Sequence, residues 1–149
     1  MYPIVLAIHN IIRWVILIAG AVAVIRAYMG WFGKREWTET DRKAGLLFTT
    51  SIDIQILLGL LLYFFLSPIT KAALSAFGDV MSEAGARFFA FEHVIVMLLA
   101  LVFAHLGSIL PKRVDEAVRK HRRAAIWFTL AFLVILAGMP WMRPLFPAF

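Results

Sequence analysis

Four apolar stretches, about 3–32, 44–66, 88–110 and 124–141, take up most of the chain. Each is long enough to carry an α-helix across roughly 30 Å of hydrocarbon at about 1.5 Å per residue. A chain in lipid must satisfy its backbone polar groups internally, which leaves helices as the reading for segments of this length. The expected fold is all-α, a four-helix transmembrane bundle of up-down-up-down topology, forming one integral membrane domain over 1–149. Composition agrees, with 62% hydrophobic and 16% charged residues and a mean hydropathy of +0.86. Four spans use up the 149 residues, so no separate soluble domain is expected. The first run has no preceding basic residue and no small-residue cleavage site, and reads as a retained helix.

The net charge of +6 is unevenly placed. Lys34, Arg35, Arg42 and Lys43 cluster in the first connection, and Lys112, Arg113, Arg119, Lys120, Arg122 and Arg123 in the third. The second connection, Ser67 to Arg87, holds only Lys71 and Arg87 as basic residues. Cytoplasmic loops carry an excess of Lys and Arg, so the first and third connections are expected in the cytoplasm, with both termini outside. Loops of this kind meet anionic membrane lipid, and nucleic acid is not expected as a partner. Cysteine is absent, which excludes disulfides, thiolate metal sites and thioether-linked haem.

Local signals mark the ends of the spans. Gly33 closes the first, with Trp31 at headgroup level and Arg26 able to snorkel. Ser67-Pro68 stops the second and reads equally as the N-cap and first position of a short amphipathic helix. That helix would put Ile69, Ala72, Ala73 and Phe77 on one face; the other reading is a loop. Pro111 follows the third span. Arg122-Arg123, Trp127, Pro140 and Trp141 frame the fourth.

Ionisable residues inside spans are costly and mark functional sites. His9 and Arg13 lie one helical turn apart near the outer end of the first span, and Glu92 and His93 fall at matching depth on the third. Arg13 and Glu92 are expected to neutralise each other, with His9 and His93 facing a shared outer cavity. Two imidazoles on facing helices supply axial ligands for a haem iron, and a cation such as Arg13 offsets the propionates. Small residues below them (Ala100, Ala104 and Gly107; Gly20 and Ala27) either leave room for a macrocycle or let helices pack closely. Met97 and Ile16 lie on the same faces. Gln55, Gly59 and Tyr63 form a stripe on the second span. Tyr63 reaches the level of the histidines, as pocket lining or as a belt residue.

Asp53 lies mid-span beside Thr49 and Thr50, as a proton relay or a hydrogen-bond partner of a neighbouring helix. His105 is about 120° around the third helix from His93, which argues against two haems ligated from one stripe. A second metal site of His105 and His121 near the basic loops is the other reading, against His121 as a solvated member of the basic run. No Ser or Thr stands in a nucleophile arrangement with His and Asp, and H-E-x-x-H metal spacing is missing, so catalytic residues remain unassigned.

The segments HNIIRW (9–14), GWFGKREWTETDR (30–42), IQILLGLLLYFFLSP (54–68), RFFAFEH (87–93), KHRR (120–123) and LAGMPW (136–141) resemble a family of small four-helix bacterial integral membrane proteins labelled cytochrome-b-like. The resemblance implies haem b, a place in the bacterial cytoplasmic membrane, and His9, Arg13, Glu92, His93 and His121 as recurring polar positions. The family often has histidine two residues before Gln55, where this chain has Asp53. Three functions follow as expectations. The first is a membrane haem-b electron-transfer protein exchanging electrons with quinone, with His9 and His93 as ligands and Arg13, Glu92 and Tyr63 around the cofactor. The others are an accessory subunit of a larger energy-transducing membrane complex, and a haem-free quinone-binding protein anchored by Glu92, His93 and Tyr63.

Overall fold

The computed structural model describes residues 1–141 and 143, apart from the side chains of Phe77 and Val80. Helix α1 (Tyr2–Phe32) starts with Pro3 in its first turn, where the missing N–H costs nothing, and stops where Gly33 N–H bonds Met29 O. Lys34 then takes a left-handed conformation (φ 49°) and turns the chain back. Helix α2 (Glu39–Leu61) opens with a capping box. The Thr38 hydroxyl accepts from Asp41 N–H, and the Asp41 carboxylate accepts from Thr38 N–H at 2.9 Å. Asp41 also holds Arg26 of α1 at 2.8 Å, so that arginine is tied to the start of α2.

At its far end α2 widens into a π turn over Leu62–Leu66, with Ser67 N–H bonding Leu62 O five residues back. Ser67 then caps α3 (Pro68–Ser75) by accepting from Thr70 N–H, so the second connection begins as a helix. It does not run to Phe77, whose side chain is outside the description. The chain breaks at Ala76 and continues as α4 (Phe77–Ser82) and α5 (Ala84–Arg87). A second π turn, Phe88–Glu92, leads into α6 (His93–Ile109), which ends in a 3₁₀ turn over Leu110–Arg113. Helix α7 (Ala117–Gly138) starts seven residues before the expected 124, because its basic first turns continue the helix beyond the apolar part, and it stops before Met139-Pro140.

The fold is an all-α bundle; the described residues contain no strand. Four helical stretches, Tyr2–Phe32, Glu39–Leu66, Ala84–Arg113 and Ala117–Gly138, are long and apolar enough to cross a membrane, as in a multi-pass membrane protein. Successive long helices are neighbours and α7 closes on α1, so the ring runs α1–α2–α6–α7, with α1 and α6 on a diagonal.

Between the middle of the bundle and the basic connections, glycines and phenylalanines of facing helices interlock. A Cβ on Gly20 would come within 2.7 Å of Phe132 and Phe48, and one on Gly45 within 2.8 Å of Phe128; Gly107 is pressed against Phe128 in the same way. Ala27 and Ala104 are buried in the same core. The small faces at Gly20, Gly45 and Gly107 serve close helix packing, the second of the two readings.

Candidate functional site: a diagonal cavity at the terminal end

A cavity of about 220 Å³ remains beside His121, lined among others by Arg26, Gly30, Glu36 and Asp41. A larger one lies at the other end, where α1 starts and α7 finishes. This partly open cavity of about 390 Å³ is lined by α1, α2, α6 and the end of α7. His9, Arg13, Tyr63 and His93 all line it. Ile16, Ile52, Ala100 and Ile135 form its apolar floor, and Ser67, Ile69 and Thr70 of the second connection reach its rim. Its volume and mostly apolar walls are those of a small-molecule or cofactor site.

The two imidazoles approach from the diagonal helices. On α6, the His93 ring pairs through Nδ1 with Gly138 O at 2.8 Å. A carbonyl only accepts, so Nδ1 carries a proton, and Nε2 is the nitrogen through which a neutral His93 ring can bind a ligand. The contact exists because Gly138 lets α7 approach α6: a Cβ there would lie 2.6 Å from Val96 and Met97. On α1, His9 packs over Gly59 of α2, where a Cβ would meet its Cε1 at 3.4 Å. His9 Nδ1 and, beside it on α2, Gln55 Oε1 are buried without a hydrogen-bond partner in the protein. Buried polar atoms usually find partners, so two orphans on one cavity wall point to a ligand or ordered water.

The π turns brace the rim. The Tyr63 hydroxyl donates to Ala90 O at 2.9 Å, joining one π turn to the other, and Thr70 Oγ1 donates to Tyr63 O at 2.7 Å. Carbonyls released by the wide turns are thereby satisfied. Such turns inside α-helices are frequent at functional sites.

Several sequence expectations need correction. Glu92 is not on the cavity and forms no ion pair with Arg13. Its carboxylate accepts from Arg87 Nε at 2.8 Å on the exposed side, because the π turn brings residues five apart onto one face. Histidines 105 and 121 do not form a joint site. His105 Nε2 and Asp53 Oδ1 are 2.8 Å apart across α6 and α2, the helix-to-helix bond that was one reading of Asp53. His121 is not solvated: it is 1% exposed, donates from Nε2 to Glu36 O at 3.2 Å and packs against Trp37, in a slot opened by Gly30. Among the described residues no group of three or more His, Cys, Asp or Glu could hold a metal ion.

The sequence reading missed the role of Gln55, Asn10 and Arg143, all of which line the cavity, and of Gly138 as acceptor for His93. Arg143 also sits over the Phe89 ring at 4.4 Å. The LAGMPW segment carries the Gly138 carbonyl, but nothing in its residue types signals a bond to His93. Compared with protein-family models, curated proteins and solved structures, the chain finds no match.

Proposed function

We propose that this protein holds a haem b in the diagonal cavity and passes electrons through it within the membrane, with a quinone as the class of redox partner. The observation that carries the reading is the pair of imidazoles, His9 from α1 and His93 from α6, on one apolar cavity, with the second ring fixed through Nδ1 by Gly138 O. Metal-bound histidines commonly donate their other ring nitrogen to a backbone carbonyl in this way. The buried His9 Nδ1 without a partner fits the same donor set.

In this reading His93 and His9 would supply the imidazole ligands of the haem iron, and Arg13 would offset the negative charge of the propionates. Haem, when bound, supplies one-electron redox chemistry. The protein's part is to orient the two rings, keep water away with the apolar floor, and raise the basicity of His93 through its carbonyl bond. The positive-inside rule supports cytoplasmic basic connections and an external cavity, and the bacterial cytoplasmic membrane is what the family resemblance implies.

The test is an oxidised and reduced absorption spectrum of protein purified from haem-replete cells. A Soret band is expected that is lost in His93→Ala and altered in His9→Ala. Wild-type protein with no Soret band refutes the proposal. One observation favours a second reading, a haem-free quinone site: the unsatisfied Gln55 Oε1 is an acceptor suited to a quinol hydroxyl. In that reading His93 and Tyr63, which line the cavity, remain as anchors, the Tyr63 oxygen still able to accept while it donates to Ala90 O, whereas Glu92 is held by Arg87 on the exposed side. Quinone in an organic extract of colourless protein supports that reading.

A further inference from the structure

The Asp53–His105 pair stands apart from the cavity. It bridges α2 and α6 on the outside of the bundle, with 44% of the Asp53 and 43% of the His105 side chain exposed. Both positions fall within the apolar spans. Asp53 is nine residues past Ala44 and His105 five before Leu110, so they lie about 14 and 8 Å from the ends of those apolar runs. The exposed residues around the pair are mostly apolar, Leu57 (67%), Val102 (53%), Ile54 (44%) and Leu98 (42%), with Thr50 the exposed polar neighbour one turn before Asp53. This surface faces lipid, where no water is present to complete a hydrogen-bonding set. The 2.8 Å bond uses one atom of each group, His105 Nε2 and Asp53 Oδ1. Asp53 Oδ2 and His105 Nδ1 have no partner among the described residues.

We infer that this face binds a second copy of the same chain, with the Asp53–His105 pairs of the two copies meeting across a two-fold axis along the membrane normal. A two-fold interface brings residue i against j and j against i. An acid and a base side by side on one face are complementary to themselves under that operation. Each imidazole then donates from Nδ1 to Oδ2 of the second copy while its Nε2 keeps its own Oδ1. The result is a closed, charge-neutral ring of four hydrogen bonds with no polar valence left to lipid. Charged groups inside membranes persist when paired in such a manner. A foreign helix would need to bring its own acid and base in matching register, whereas the second copy has both.

The register follows. With α2 of one copy against α6 of the other, Leu57 lies one turn from Asp53 towards the terminal end, and Val102 about one turn from His105 in the same direction. These two residues should therefore meet between copies.

The chain has no cysteine, so single introduced cysteines are unique reporters. Differently tagged Leu57→Cys and Val102→Cys chains are co-expressed and oxidised in native membranes. Mixed disulfide dimers are expected at least tenfold above those of a Val22→Cys control, which has 45% exposure on the outer face of α1. Adding Asp53→Ala to both chains should lower the yield about tenfold, and the exchange Asp53→His with His105→Asp should restore it. Cross-linking no greater than at Val22, or exclusively to a different polypeptide, overturns the inference. The unsubstituted Asp53–His105 background decides this even where Asp53→Ala does not accumulate.

Discussion

Replacing Gly30 by alanine tests how the basic end is held together. A Cβ at this position would overlap His121 Cε1 and Nδ1. The ring is 1% exposed, with Trp37 at 4.8 Å between ring centroids on one side and its Nε2 bonded to Glu36 O at 3.2 Å. Restoring ordinary contact of 3.4 Å means withdrawing the ring by about 1 Å, which stretches that hydrogen bond past a useful length. Overpacking of this sort costs about 1–3 kcal/mol. Loss of the hydrogen bond adds about 1 kcal/mol. The expected destabilisation is thus about 2–4 kcal/mol, at the upper end for a single methyl group. It is read from reversible unfolding by SDS in mixed micelles, followed by far-UV circular dichroism. His121→Ala alone should also destabilise, by about 3 kcal/mol through the cavity it opens. In the double variant the new methyl group enters that space, so the two costs should fall short of their sum by about 2 kcal/mol. Gly30→Ala unfolding at the wild-type SDS fraction, or strictly additive costs, refutes the assignment of His121 as a buried peg in a glycine slot.

Tyr63→Phe removes the donor to Ala90 O, a carbonyl of a residue only 2% exposed, and should cost about 1–3 kcal/mol in the same SDS titration while leaving the basic end intact. Faster amide exchange over 62–66 and 88–92, with none over 38–44, is the accompanying signature. Asp41→Ala removes both the capping-box acceptor and the partner of Arg26. A loss of about 1–2 kcal/mol is expected, with faster exchange confined to 38–44; wild-type protection there counts against the cap.

What could be read from the residues and what could not divide along one physical line. Depth in the membrane is fixed by a constant rise per residue, so counting alone brought His9, Arg13, Tyr63 and His93 to one level, and the structure puts all four on one cavity. Direction around the helix axis is another matter. It is set by which neighbours pack where, and by turns that depart from 3.6 residues. Glu92 shows the second effect: the π turn over 88–92 swings it to Arg87, and nothing in FFAFE announces a π turn. His121 shows the first effect. Within KHRR it looks solvated, and only Gly30 and Trp37, some 90 residues earlier, make the slot that buries it. Asp53 and His105 are alike in this respect, since either could be placed in depth but neither could be paired until the α2–α6 register was known. The same reasoning bears on the cavity itself. Gly20 and Gly107 are as small as Gly59, yet the first two are filled by phenylalanines and the third faces His9. Small residues permit a space between helices, and the side chains opposite decide whether it exists.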